Sequence, residues 1–207
     1  TPISILTRGD FLLVAHPSVP ANNLKELIAY AKANPGKLNA WSGASIQIVT
    51  YQMFMNATGT KLTVVSYKAA AQGFTDMLAG LVDVNMSNVG SSAPHIKAGK
   101  LKGIAFAGPR RSPVLPDVPT FTEAGMSNFD AYNWIALLAP GKTPRDIIAK
   151  MNLQARKVLE PPDIVSALTN RDLEPNYTTV AQAEQFIGKE SDKLAKIIKE
   201  AGMKPLD

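Results

Sequence analysis

Three short segments concentrate the residues of this chain that could handle a ligand: Ser42-Gly43-Ala44-Ser45, Tyr67-Lys68-Ala69 and Ser87-Asn88-Val89-Gly90-Ser91. They contain hydroxyls, an amide, small residues and one lysine, and no acidic residue. Each leads into a stretch that reads as a helix. A helix N-terminus carries backbone N–H groups without intrahelical partners and a partial positive charge. With serine hydroxyls beside it, such an end can receive a carboxylate or a phosphate. Serine, asparagine and glycine are also ordinary capping and turn residues, and one such loop alone reads more simply that way. Three acid-free loops in succession bring the anion-receptor reading level with the plain one.

Residues for catalysis do not assemble in the same way. His16 precedes Pro17 at a strand end, and His95 falls in the first turn of a helix. Asp83 lies in a strand and Asp76 on a helix, and neither has the spacing to a Ser or His that a triad requires. There is no His/Asp/Glu cluster for a metal, and no GxGxxG or GxxxxGK[ST] for a nucleotide. The expectation is a protein without catalytic residues, cofactor or metal. Arg110-Arg111 heads a loop and reads as solvated. Trp134 stands on the strand leaving the first domain, and the sequence leaves it open between a core residue and one that stacks on a ligand.

Composition sets the frame. The 207 residues permit one large or two small domains, and 45% apolar content suits a soluble core. No run approaches the roughly 20 apolar residues of a membrane span, so membrane insertion is not expected. The net charge of +5 is spread along the chain without interleaved aromatics. That argues against a nucleic-acid face and suits an anionic small molecule. The absence of cysteine excludes disulfides, thiol nucleophiles and thiolate metal sites, and fits a cytosolic or an exported protein. The chain begins Thr1-Pro2, with neither initiator Met nor signal peptide, which reads as a processed or trimmed product.

The elements that must position the three loops alternate between strand and helix. Strands are expected at Phe11–Ala15, Leu38–Trp41, Leu62–Ser66, Val82–Met86 and Gly103–Ala107. Helices are expected from Asn23, which forms a capping box with Glu26, to about Ala33, and over Ile46–Ala57 and Ala70–Ala79. A further short helix is expected to be capped by Ser92, with Pro94 in its first turn and Gly99 at its end. Four prolines between Gly108 and Pro119 imply an extended connection. Thr120 and Glu123 form a second capping box, for a short helix closed by Gly125. Repeated β-α units predict a doubly wound parallel sheet, with ligands at the carboxyl ends of its strands. The tail reads as a strand at Tyr132–Leu138, then a helix capped by Thr143 with Pro144 first. Asp163–Thr169 is a short helix and Leu173–Tyr177 a short strand, and Thr179 with Gln182 caps a last amphipathic helix. Its apolar faces outnumber the strands available to cover them, so the tail is expected to belong to an incomplete second α/β domain.

The runs PHIKAGKL (Pro94–Leu101), RSPVLPDVPTFTEAG (Arg111–Gly125) and LLAPGKTP (Leu137–Pro144) resemble the periplasmic solute-binding proteins of tripartite tricarboxylate transporters, the Bug or TctC-like family. His16–Asn39 and Ser66–Val84 follow the same pattern in order. The resemblance implies a periplasmic-binding-protein-like α/β fold of two domains. Residues 11–131 would form the complete ligand-binding domain, and residues 1–10 and 132–207 the remainder of the other domain, with roughly the first third of the usual chain lacking. It implies no catalytic activity, a small carboxylate captured in a cleft between the domains, membrane permease subunits as partners, and a periplasmic location. A non-transport ligand-sensing or interaction module of the same fold is the alternative. Carried onto this sequence, the ligand-side residues are Ser42, Ser45, Tyr67, Ser87 and Asn88. Gly43, Ala44, Lys68 and Trp134 join them as candidate binding residues. Family members usually carry a His and a longer loop where this chain has Ser42–Gln47. They usually have a glycine where it has Ala69, and an acidic residue where it has Ser87. Losing that acid is expected to favour a carboxylate without a cationic amine.

Overall fold

The computed structural model describes residues 1–200 and residue 202. The chain forms two compact units. One is Asp10–Ala131; the other is Thr1–Gly9 with the described residues from Tyr132 onward. Residues 201 and 203–207 of the expected second domain lie outside the described residues. Strand β1 (Pro2–Ala15) is longer than the apolar run at Phe11 suggests, and its two ends serve different units.

In the Asp10–Ala131 unit the sheet runs β3-β2-β4-β1-β5. Its other strands are β2 (Asn39–Ser42), β3 (Thr63–Ser66), β4 (Val84–Asn88) and β5 (Lys102–Phe106). β2 is parallel to β3, from Asn39 opposite Thr63 to Ser42 opposite Ser66, and parallel to β4 where Ala40 faces Val84. β1 runs antiparallel to both β4 and β5. The expected parallel sheet is therefore mixed, with one reversed strand. Hydrophobic period reports burial, not direction. β1 pairs with β4 and β5, to neither of which it is joined by a direct crossover, so the constraint that makes βαβ strands parallel does not act on those pairs. The reversal matters for the site. The carboxyl ends of β2, β3 and β4 share one edge, and β1 ends at the opposite edge.

Helices α2 (Ser45–Thr58), α3 (Ala70–Leu78) and α4 (Val89–Lys97) follow their strands almost directly, while α1 (Leu24–Ala33) follows β1 after the connection 16–23. β1 shows why both faces need cover. Phe11, Leu13 and Ala15 join one buried cluster with Leu24, Leu27, Tyr51 and Phe54, while Leu12 and Val14 join another with Trp41, Met77 and Val89. An unbroken apolar strand feeds two layers by its period of two. The α1 capping box forms through Asn23 Oδ1, which accepts the Glu26 N–H at 2.9 Å, while Glu26 accepts the Asn22 N–H at 2.7 Å. Gly59 closes α2 at φ 64°, in the left-handed region where a Cβ would be strained.

Three local expectations are corrected. α4 starts at Val89, immediately after β4, so Ser92 does not cap it. The Ser92 hydroxyl instead donates back to the Asn88 carbonyl at 2.9 Å, and Pro94 sits inside the helix. The Thr120–Glu123 capping box forms, with Glu123 N–H to Thr120 Oγ1 at 3.1 Å and Thr120 N–H to Glu123 at 2.7 Å. The chain after it makes only turns before Gly125, at φ 90°, redirects it. The third concerns Arg111, which pairs with Glu123 at 2.9 Å and donates to the Pro116 carbonyl at 3.0 Å, fastening the proline-rich connection. The Thr120 N–H first, and then Arg111, hold the Glu123 carboxyl below its usual range.

In the other unit β6 (Tyr132–Leu138) and β7 (Glu174–Pro175) pair with β1, and helices α5 (Arg145–Leu159), α6 (Pro162–Thr169) and α7 (Val180–Glu200) follow the chain. Thr143 does not cap α5. Pro144 takes the cap position, without a side-chain hydrogen bond. Thr179 and Gln182 do cap α7, each accepting the other's backbone N–H, at 3.3 and 2.9 Å. The Asn152 amide binds the unit together by donating to the Ile3 and Thr178 carbonyls at 2.7 and 2.9 Å. Ile135 and Leu138 of β6 and Ile147 and Val158 of α5 stay exposed. Among the described residues no helix is long and apolar enough to cross a membrane.

Candidate functional site

The shared edge of β2, β3 and β4 receives the N-termini of α2, α3 and α4. Their caps are Ala44, Ala69 and Asn88, and none makes a side-chain cap hydrogen bond. None of the three helices carries an acidic residue in its first turn. α1, which follows the reversed strand, has both a capping side chain and Glu26 in its first turn. Within one domain, then, the helix ends at this edge go without side-chain cap hydrogen bonds and first-turn acids, and α1 has both. Aligned N–H groups and dipoles without a local anion favour an external one.

The residues singled out by sequence fall into two classes. Ser45 and Lys68 stand exposed at this edge, Ala44 beside them. Ser42, Gly43, Tyr67 and Ser87 are engaged in shaping it. The buried Ser42 hydroxyl donates to the Ala44 carbonyl at 2.8 Å, and the Ser42 carbonyl accepts the Tyr67 N–H at 2.8 Å, joining the first two loops. Gly43 donates its N–H to Gln47 Oε1 at 2.8 Å. Tyr67 donates its hydroxyl to Asp76 at 2.8 Å, and that carboxylate pushes the phenol's pKa above its ordinary value, so it remains a neutral donor. Ser87 is buried and turned toward the Asn88 carbonyl at 3.3 Å. Asn88 caps α4 from the end of β4. Trp134 belongs to the other unit, where its ring packs edge-on to Phe186 of α7 at 5.5 Å between centroids.

Beneath the loops lies a buried polar group that sequence reasoning missed. Tyr51, fully buried on α2, donates its hydroxyl to the Trp41 carbonyl at 2.7 Å and accepts the Met86 N–H at 3.0 Å and the Asn85 amide at 3.1 Å. Asn85 also donates to the Trp41 carbonyl at 2.9 Å. One turn earlier on α2, Gln47 donates to the Met86 carbonyl at 2.8 Å. Past the Ala40–Val84 pair, side chains from α2 and β4 thus take over hydrogen bonds between the strand ends. Burial pushes the Tyr51 phenol far above its ordinary pKa, and it stays neutral. The available signal was Asn85, a polar residue centred in the apolar run Val84–Met86, together with Gln47 and Tyr51 four residues apart on one helix face. Among the described residues no group of His, Asp and Glu could hold a metal.

Residues 1–203 match the family described as the tripartite tricarboxylate transporter family receptor, TctC. The chain belongs to this family. It is 31% identical to Protein BugT of Bordetella pertussis over 207 residues, covering 98% of this chain and 63% of that protein. The chain therefore spans less than two thirds of that curated relative's length. Among solved structures it is similar to R. palustris Rpa4515 with adipate, at TM-score 0.92 and 28% identity over 100% of this chain and 70% of that one. It is also similar to MatC from Rhodopseudomonas palustris with bound malate, at TM-score 0.84 and 26% identity over 96% and 69%. The α/β fold is that of periplasmic solute-binding proteins of the TctC type.

Proposed function

We propose that this chain is the ligand-holding part of a periplasmic solute-binding receptor, which captures a small carboxylate and presents it to the membrane permease subunits of a tripartite tricarboxylate transporter. The ligand sits at the edge formed by the N-termini of α2, α3 and α4. The observation that carries this reading is the contrast within one domain: three acid-free helix ends without side-chain caps at one edge, and a fully capped α1. The two similar structures hold adipate and malate, both dicarboxylates without an amine. Capture needs no bond-making, and the site accordingly relies on N–H groups, hydroxyls and Lys68.

Substrate preference follows from charge. The helix first turns at this edge carry no carboxylate, and the nearby Asp76 carboxylate already accepts from the Tyr67 hydroxyl and the Gln72 amide, so an ammonium group would lose hydration on binding with little compensation. Calorimetry with malate and with aspartate, its amino-acid counterpart, tests this. Malate is expected to bind at least about tenfold more tightly, equivalent to about 1.4 kcal/mol. Preference for aspartate would overturn the reading.

A second reading, a ligand-sensing or interaction module that has left transport, draws on one observation. The Ser42–Ser45 loop is closed on itself, with the Ser42 hydroxyl on the Ala44 carbonyl and the Gly43 N–H on Gln47. Failure to bind any small carboxylate would favour it.

A further inference from the structure

The strongest unassigned feature is Gln47. Its carboxamide uses both ends: Oε1 accepts the Gly43 N–H at 2.8 Å and Nε2 donates to the Met86 carbonyl at 2.8 Å. Gly43 belongs to the loop that starts α2 two residues later, and Met86 precedes Asn88, the cap of α4. One side chain therefore spans two of the three helix starts at the proposed carboxylate edge. The third is tied to the same place by the Tyr67 N–H on the Ser42 carbonyl.

We propose that Gln47 is the positioning residue that sets the separation of the α2 and α4 N-termini, and thereby the affinity for a dicarboxylate; this rests on the reading of that edge as the binding site. The chemistry of the two contacts selects the residue. One partner is a donor and the other an acceptor, so the strut needs an acceptor and a donor on one rigid plane. Glutamate offers only acceptors. It would set a carboxylate against the Met86 carbonyl and place a negative charge among helix first turns that carry no acid. Leucine offers neither contact, and leaves the Gly43 N–H and the Met86 carbonyl to water. A neutral histidine carries one donor and one acceptor nitrogen and can keep at least one of the two bonds. Gly43 also changes role: its N–H is committed to the strut, so the ligand takes the N–H groups of the helix first turns.

The test uses the full chain and its Gln47→Leu, Gln47→Glu and Gln47→His variants, with malate and adipate as probes in calorimetry. Residue-resolved amide hydrogen exchange is followed in parallel without ligand. Loss of two hydrogen bonds that fix the site is expected to weaken binding about tenfold or more in Gln47→Leu. Gln47→Glu should show no measurable binding, and Gln47→His should stay within about threefold of the parent. The Gly43 amide should exchange markedly faster in Gln47→Leu while the core amides of β1 and β4 stay protected, which separates a lost strut from a lost fold. Dicarboxylate affinity within twofold of the parent in Gln47→Leu would overturn the proposal, as would unchanged Gly43 exchange. If the parent chain binds neither probe, the reading of the edge falls and the affinity role of Gln47 with it. The Gly43 exchange result then decides the strut separately.

Discussion

Replacing Trp41 with alanine is expected to remove about 3–5 kcal/mol of stability, the usual cost of truncating a large buried aromatic. Trp41 is 3% exposed on β2. Its ring meets Tyr67 and Phe74 edge-on, each at 6.2 Å between centroids. It also fills the space two glycines leave open. A Cβ on Gly73 would stand 2.4 Å from the ring, and one on Gly43 would stand 3.3 Å away. One side chain thus supports the first loop, the second loop and helix α3. Against a typical domain stability of roughly 5–15 kcal/mol the loss is severe. Denaturant unfolding followed by far-ultraviolet circular dichroism measures it. A loss below about 1 kcal/mol would mean that the ring is not the packing centre described.

Tyr51→Phe removes a single oxygen and is expected to cost about 1–3 kcal/mol, more than deletion of an exposed hydroxyl. The Tyr51 hydroxyl answers the Met86 N–H and shares the Trp41 carbonyl and the Asn85 amide. Without it the Met86 N–H loses the acceptor it has in this fully buried site, and burial without a partner is what makes the change costly. The same unfolding experiment should show a lower midpoint with an unchanged denaturant slope, since the surface exposed on unfolding is the same. A neutral substitution would show that the strand ends do not depend on α2 for their hydrogen bonds.

The two substitutions mark how far the sequence could be read. Alternation of strand and helix was legible because local signals act within a few residues: the Asn23–Glu26 box, Gly59 after α2, and Thr179 with Gln182 before α7 are all formed. The direction of β1 was not legible, because neighbours in space and not along the chain decide it. Ser92 and Thr143 failed as caps for a related reason. Each has the right residue type, and each helix start was fixed elsewhere, by β4 running directly into α4 and by Pro144 occupying the cap position. The three loops were visible as acid-free segments, and their meeting at one edge followed from parallel β2, β3 and β4. The layer under them was hidden. Gln47 and Tyr51 stand on α2 and Asn85 on β4, and only the folded sheet shows that they serve the same two strand ends.

A small carboxylate is proposed to bind where three helix N-termini share one sheet edge. The most direct measurement is a malate titration of isotopically labelled chain, followed by the backbone amide resonances. Saturable shifts are expected, concentrated on Ser45–Gln47, Ala70–Gln72 and Val89–Ser91, with little change in α1. Shifts confined to other parts of the chain, or no shift at millimolar malate, would contradict it.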